Sequence, residues 1–192
     1  DKAEMQDALR ANGVPAAAQF KSGDIDRLLD WANKRNEWPL VAKPIGGAGS
    51  DGIFFCNTAE DLKAAHSGII GVRNPTGVMN NELALQEFLA GDEYIVDTVS
   101  HNGKHLVVAM WVYTKVKGVP WAPQAIVVYQ SELIPAHGEI QDKLVDYVFK
   151  TLDAVGLKHG PCHTEIMMTK RGPILVEVNA RLHGLQGPRL IE

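Results

Sequence analysis

The 192-residue chain lacks the features that mark secreted, membrane-spanning and nucleic-acid-binding proteins. Cysteine occurs only at positions 56 and 162, and no Cys-x-x-Cys pair is present, so a reduced protein without a disulfide framework is the simplest interpretation. No apolar run approaches the roughly 20 residues of a membrane-spanning helix, and the N-terminus has no signal-peptide pattern. The net charge is −4 with no basic stripe, which argues against nucleic acid as a partner. These absences favour a cytoplasmic protein.

Hydrophobic residues make up 45% of the chain, enough to bury a core in one or two domains. Apolar periodicity predicts helices over residues 2–12, 24–34 and 139–155. Thr58 and Asp61 form a capping box that predicts the start of another helix. Strands are predicted over residues 39–43, 53–56, 83–89, 93–99 and 106–116. The last of these is apolar almost throughout, which predicts burial on both faces, and a hairpin turn at 101–103 precedes it. The pattern indicates an antiparallel α+β protein.

The most informative motif is a predicted hairpin near the C-terminus, with strands on both sides of Lys170-Arg171-Gly172. A three-residue loop ending in glycine would pair Thr169 with Pro173, and that register places Glu165 opposite Glu177. Side chains alternate along a strand, so one face would gather His163, Glu165, Glu177 and Asn179. The other face would be nearly all apolar, with Thr164, Ile166, Met168, Ile174, Val176 and Val178.

Two glutamates directly opposite each other on a sheet repel, so they need a cation or a shared proton. Oxygen ligands of this kind suit Mg²⁺ or Mn²⁺, and Mg²⁺ most often holds substrate phosphates. The alternative is that both carboxylates simply face water, as most strand carboxylates do. The nearby Asn179, Arg181 and His163 favour the metal site. His163 could support a metal ligand, contact substrate, act as a general base or be a structural histidine, and the sequence does not choose among these roles.

A glycine-rich segment from Lys43 to Ile53 joins two predicted strands. Its glycines allow a tight turn that brings backbone N–H groups close to an anion, and Ser50 adds a hydroxyl donor. Lys43 ends the preceding strand, where its ammonium could reach a phosphate oxygen. The segment is neither a Walker loop nor a dinucleotide fingerprint, because its lysine precedes the glycines and a strand follows them. A glycine-rich hairpin without a ligand is the alternative. Its combination with the glutamate hairpin favours a phosphate site.

With both motifs present, the chain resembles the ATP-grasp superfamily of carboxylate–amine ligases over nearly its whole length. The resemblance implies an α+β, ATP-grasp fold of two subdomains, whose antiparallel sheets hold ATP between them. Residues 1–85 would form the small lid subdomain and residues 86–192 the large subdomain with the metal site. The chain starts at Asp1 without methionine and stops in mid-pattern. We therefore expect a fragment that lacks the family's N-terminal domain and C-terminal extension.

The resemblance also implies ATP and Mg²⁺ (or Mn²⁺) as cofactors and assigns site residues. Its nucleotide-binding set comprises Lys2, Lys43, Gly46, Gly47, Gly49, Ser50, Gly52, Gln86, Glu87, Phe88, Leu89 and Glu93. In that set, Lys2 and Lys43 resemble the family's two nucleotide-contacting lysines. The glycine segment resembles the family's flap over the phosphates. Residues 86–89 match the strand whose backbone meets adenine, and Glu93 the residue that holds the ribose hydroxyls. The metal ligands would be Glu165, Glu177 and Asn179. Arg181, matching the arginine that stabilises the transferred phosphoryl group, and His163 complete the site.

Within the superfamily, residues 160–165 and 177–184 look most like the L-amino acid ligase branch, whose members make dipeptides. The implied reaction activates a carboxylate as an acyl phosphate, joins it to an amine and releases ADP and phosphate. Small carboxylates and amines, expected to be amino acids, would be the substrates, and a homodimer is one option for the assembly. His183-Gly184 departs from the family pattern after the arginine, which leaves the substrate class open. The alternatives are an ATP-grasp carboxylase, a purine-pathway-type ligase and a non-catalytic ATP-binding module.

Overall fold

The computed structural model describes residues 2–46, 52–74, 77–119, 122–184 and 187–190, without the side chains of residues 2, 117–126 and 188. The helices are α1 (Lys2–Ala11), α2 (Ile25–Arg35), α3 (Ala59–Ile69), α4 (Glu139–Ala154) and α5 (Gly187–Leu190). The strands are β1 (Gln19–Ser22), β2 (Leu40–Pro44), β3 (Phe54–Cys56), β4 (Leu83–Glu87), β5 (Asp92–His101), β6 (Lys104–Val119), β7 (Ala122–Ile134), β8 (Gly160–Thr169) and β9 (Gly172–Asn179). Among the described residues, no helix has both the length and the apolar character needed to cross a membrane.

The chain divides into two compact units, the first formed by Asp1–Gln6 with Ala17–Phe88 and the second by Asp7–Ala16 with Leu89–Glu192. The first unit contains an antiparallel sheet in the order β1-β4-β2-β3. Its core combines apolar side chains of α2, α3 and the sheet, among them Leu28, Leu62 and Leu85, all completely buried. Local sequence starts both helices. Asp24 accepts the backbone N–H groups of α2, and Thr58 forms the predicted capping box with Asp61 at α3.

The second unit contains a five-stranded antiparallel sheet in the order β7-β6-β5-β8-β9. The β5–β6 turn has positive φ at both Asn102 (51°) and Gly103 (73°). A two-residue hairpin turn needs positive φ at both positions so that its twist matches that of the flanking strands. The predicted hairpin is therefore confirmed. Helix α4 confirms the helix predicted over residues 139–155 and buries Leu144, Val148 and Leu152, whereas Ile140, at the same helical spacing, is 42% exposed.

The C-terminal hairpin has the predicted pairing of Glu165 with Glu177, but it reaches that register by a different route. Thr169 pairs with Gly172 across a two-residue turn, so the three-residue loop and the Thr169–Pro173 pair are wrong. A β-bulge in β9 then shifts the register by one residue before Glu177. The bulge also changes the apolar face, because the completely buried Leu175 lies opposite Ile166, where the predicted register places Val176.

The β6–β7 region differs from its prediction in two respects. Among the side chains of β6 that the structure describes, only those of Ala109, Met110 and Trp111 are buried, whereas Leu106 is 71% exposed. Strand β7 was not predicted from the sequence at all. It pairs with β6 along most of its length, with register shifts at two points. The extra strand extends the sheet beyond β6 and so leaves the apolar residues of β6 between two neighbours.

Candidate active site

The four polar residues of the hairpin face come together in the second unit as the alternation of β8 and β9 predicts. His163 lies opposite Asn179, and Glu165 lies opposite Glu177. On the other side of β8, the central strand β5 aligns Asp97 with His163. His163 is buried to 1% exposure, while Glu165, Glu177 and Asn179 are half-buried. The sheet thus gathers carboxylate, amide and imidazole groups within one patch of a single face.

A hydrogen bond and an ion-pair contact connect Asp97, His163 and Glu165 in that order. The Nδ1 atom of His163 lies 2.7 Å from Oδ1 of Asp97, and its Nε2 atom lies 3.4 Å from Oε1 of Glu165. Burial alone would lower the pKa of His163, but the hydrogen bonds to Asp97 and Glu165 raise it above its ordinary value. Burial alone would raise the pKa of Glu165, but the hydrogen bond and charge of His163 lower it. The arrangement therefore favours a charged Glu165.

A second buried acid, Glu93, lies on the neighbouring part of the same sheet. Its side chain is 3% exposed, and its Oε2 atom accepts a hydrogen bond from Lys115 of β6. Its Oε1 atom is buried and has no hydrogen-bond partner. Burial raises the pKa of Glu93, Lys115 lowers it, and the charges of Glu165 and Glu177 raise it further. Three carboxylates thus lie within electrostatic range of one another, which is the setting that a divalent cation stabilises.

Arg181 lies in the loop that follows β9. Its backbone N–H donates to the Asn179 carbonyl at 2.8 Å, and its guanidinium donates to the Leu182 carbonyl at 3.0 Å. The side chain is exposed, and its positive charge lowers the pKa of Glu165. Arg181 therefore sits next to the predicted metal ligands with donors available to an incoming anion.

The donor set of the hairpin fits a hard cation. Two carboxylates and an amide offer oxygen ligands, and Mg²⁺ is usually held by one or two protein carboxylates together with substrate phosphates. In the part of the chain that the structure describes, no group of three or more His, Cys, Asp or Glu side chains is arranged to hold a metal by itself. Glu165, Glu177 and Asn179 thus suit a cation that a phosphate also ligates, better than a closed structural metal site.

The first unit brings together two of the predicted nucleotide-binding residues. Lys43 of β2 and Gln86 of β4 are both buried, and Nζ of Lys43 donates to Oε1 of Gln86 at 2.9 Å. The amide nitrogen of Gln86 is buried and has no hydrogen-bond partner. A buried donor without an acceptor is costly, so this nitrogen is suited to a ligand atom.

The glycine segment is described only at its two ends. The carbonyl of Gly46 accepts a hydrogen bond from the Asn74 side chain at 3.0 Å. Gly52 has φ of +68°, and a Cβ atom there would lie 2.9 Å from Pro44, so glycine is required at this position. Gly47, Gly49 and Ser50 lie outside the described residues, as does the side chain of Lys2.

Residues 86–89 run from β4 into the following segment. Glu87 is already engaged, because its Oε1 atom accepts from the Ala18 N–H and its own N–H donates to the Ala18 carbonyl. Phe88 is 40% exposed and packs edge-on against Phe55 at 6.0 Å between ring centroids. Leu89 is half-buried. The contribution of these residues to nucleotide binding stays a prediction.

The sequence assigned no role at the site to four polar residues of the second unit: Asp97, Lys115, Ser131 and His183. A signal for Asp97 exists in the sequence, since it follows Glu93 at an even spacing along a predicted strand and so shares its face. A charged residue within an otherwise apolar strand also indicates buried partners. Trp111 lies in the strand predicted to be buried and is itself buried, and its indole N–H donates to Asp97 at 3.1 Å.

Comparison with known proteins places this geometry in a family. Residues 36–188 match the ATP-grasp domain. The chain belongs to the ATP-grasp family. It is 32% identical over 191 residues to dapdiamide A synthase of Enterobacter agglomerans, covering 98% of this chain and 43% of that protein. It is 26% identical over 200 residues to the L-arginine-specific L-amino acid ligase of Bacillus subtilis, covering all of this chain and 45% of that protein.

Solved structures share the fold. The crystal structure of an L-amino acid ligase from Bacillus licheniformis superposes with a TM-score of 0.71 at 20% identity, covering 96% of this chain and 41% of that one. The predicted ATP-grasp resemblance and the α+β fold with two antiparallel sheets are therefore confirmed. The chain spans less than half the length of each of these three relatives.

Proposed function

We propose that the protein is an ATP-dependent ligase that activates a carboxylate as an acyl phosphate and joins it to an amine, with amino acids as substrates. The observation that carries the proposal is the facing pair Glu165 and Glu177, held with Asn179 beside Arg181 at one end of a sheet. The name of one relative, the L-arginine-specific L-amino acid ligase, supports amino acids as substrates. The assignment of residues 1–85 as lid and 86–192 as metal-binding subdomain is part of the proposal.

Two orphaned atoms support nucleotide binding. In the first unit, the buried amide nitrogen of Gln86 has no acceptor, and a nucleotide supplies nitrogen and oxygen acceptors. Lys43, which already donates to Gln86, offers a positive charge for a phosphate. In the second unit, the buried Oε1 atom of Glu93 has no donor, and a ribose hydroxyl is a donor. Leaving such atoms unpaired costs about 1–3 kcal/mol each, so a ligand that pairs them gains that energy.

Mg²⁺ would be held by Glu165, Glu177 and Asn179, and bound there it would neutralise phosphate charge during phosphoryl transfer. His163 keeps the Glu165 carboxylate charged and oriented through the 3.4 Å contact between Nε2 and Oε1. Arg181 offers its planar guanidinium to the transferred phosphoryl group, a geometry that carboxylates and phosphates match. Phosphoryl transfer needs mainly positioning and charge neutralisation, and these side chains provide both.

The test is turnover of the full-length protein with ATP, Mg²⁺ and pairs of L-amino acids. Phosphate release and peptide products are measured in parallel by a coupled assay and by mass spectrometry. The proposal expects phosphate release that requires both amino acids and matches the amount of dipeptide formed. Release that depends on bicarbonate would indicate the carboxylase alternative. Nucleotide binding without turnover for any acceptor would indicate a non-catalytic module, and either result would overturn the proposed reaction.

A further inference from the structure

Among the described residues of the second unit, Asp97 is the most completely buried charged side chain, with 0% exposure, and the sequence assigned no role to it. It lies on the central strand β5, next to a β-bulge where the pairing with β6 shifts by one residue. Bulges re-aim the side chains beside them and are frequent next to active sites. A buried carboxylate is costly unless donors surround it, so its partners define what it does.

Three donors from three different segments converge on Asp97. Oδ1 lies 2.7 Å from the Nδ1 atom of His163 on β8. Oδ2 accepts from the Trp111 indole N–H on β6 at 3.1 Å and from the His183 backbone N–H after β9 at 3.2 Å. Asp97 therefore joins the strand that carries Glu165 to the loop that carries Arg181.

The loop itself is fixed at both ends around Arg181. On one side, the Arg181 backbone N–H donates to the Asn179 carbonyl. On the other side, the ring of His183 packs on Trp111 with 4.6 Å between ring centroids, and its Nε2 atom lies 3.0 Å from the Ser131 hydroxyl. His183 thus anchors the loop through its backbone on Asp97 and through its side chain on β6 and β7.

We propose that Asp97 is a positioning residue that orients two groups at once: Glu165 through His163, and Arg181 through the anchored His183. This inference rests on the proposed function, in which Glu165 is a metal ligand and Arg181 contacts the phosphoryl group. Residues that orient metal ligands without touching the metal cost on the order of 10- to 100-fold in metal affinity or activity when replaced. Asp97 contacts no ligand position itself.

The experiment compares Asp97→Asn with Asp153→Asn in the full-length protein. Asp153 is the matched control, because it is also bonded to a histidine, His105, at 3.2 Å, but its side chain is 70% exposed on α4. Calorimetry measures the nucleotide Kd with Mg²⁺ and with EDTA. Asp97→Asn is expected to weaken Mg²⁺-dependent binding by about tenfold or more. Binding in EDTA and all values for the control should stay at the wild-type level.

Two further readouts separate positioning from a loss of stability. The Trp111 indole N–H resonance should shift in Asp97→Asn and not in the control, because only Asp97 accepts its bond. His183→Ala keeps the backbone donor to Asp97 but removes the ring, so it should lower kcat while the Mg²⁺-dependent Kd is unchanged.

The outcomes distinguish this inference from the proposed function. A wild-type protein whose nucleotide binding ignores Mg²⁺ would overturn both. The other case is a wild-type protein whose nucleotide binding requires Mg²⁺ and a folded Asp97→Asn variant that equals the Asp153→Asn control. If the two variants have the same kcat and the same ratio of the Kd in EDTA to the Kd with Mg²⁺, only the positioning role is overturned. If Asp97→Asn does not fold, His183→Ala decides: unchanged kcat in that variant overturns the proposal.

Discussion

Tyr147→Phe tests how the edge of the active-site sheet is held. Strand β9 carries Glu177 and lies at the edge of the sheet. The hydroxyl of Tyr147, on α4, accepts the Leu175 N–H at 2.8 Å and donates to the Pro15 carbonyl at 2.6 Å. Phenylalanine keeps the buried ring but removes both of these hydrogen bonds.

The expected loss of stability follows from those two groups. A typical intramolecular hydrogen bond contributes about 0.5–1.5 kcal/mol net, so Tyr147→Phe, which removes two of them, should lower the free energy of unfolding by about 1–3 kcal/mol. Urea unfolding followed by circular dichroism measures the change. Tyr129→Phe is the control, because Tyr129 is 75% exposed and its change should stay within about 0.5 kcal/mol. A loss for Tyr147→Phe no larger than that of the control would refute the reasoning.

The alkaline pH dependence gives an independent check on the same hydroxyl. Burial raises the pKa of Tyr147 from its ordinary value of 10 to about 12. Because the folded pKa exceeds the unfolded one, this group stabilises the fold fully below pH 10, and that contribution is lost between about pH 10 and 12. The stability difference between wild type and Tyr147→Phe should therefore narrow across this range. A difference that stays constant up to pH 12 would contradict the buried, hydrogen-bonded hydroxyl.

Three further variants test the site and the first unit. Arg181→Ala should leave ATP binding largely intact while turnover falls on the order of 100-fold or more, and surviving turnover in steady-state assays would remove its assigned role. Glu177→Gln should weaken Mg²⁺-dependent ATP binding on the order of tenfold, and an unchanged affinity in Mg²⁺ titrations would argue against the metal site. Thr58→Ala removes the capping box of α3 and should lower the free energy of unfolding by about 1 kcal/mol. An unchanged free energy in urea unfolding would show that the cap does not stabilise the helix.

Features governed by neighbouring residues were predictable. The helix starts at Asp24 and Thr58 depend on side chains that bond to backbone groups two or three residues away. The Asn102-Gly103 turn depends on two residues that accept positive φ. The gathering of His163 and Glu165 on one face follows from strand alternation alone. Such features need no knowledge of the rest of the fold.

The register of the C-terminal hairpin shows where local reasoning ends. The pairing of Glu165 with Glu177 was predicted correctly from a turn that does not exist. The true turn is one residue shorter, and a bulge compensates because Leu175 packs into the core while its N–H bonds to Tyr147. That compensation depends on α4, which lies far away in sequence.

By itself, the sequence determined the antiparallel α+β class, most of the strands, the family and the polar face of the hairpin. These follow from periodicity, turn chemistry and motif spacing, which operate over a few residues. Only the tertiary structure decided strand β7, the ion pair of Glu93 with Lys115, and the burial of Asp97 among donors from three segments. A strand needs a partner edge, and a buried charge needs donors, and in this chain both come from residues that only folding brings together.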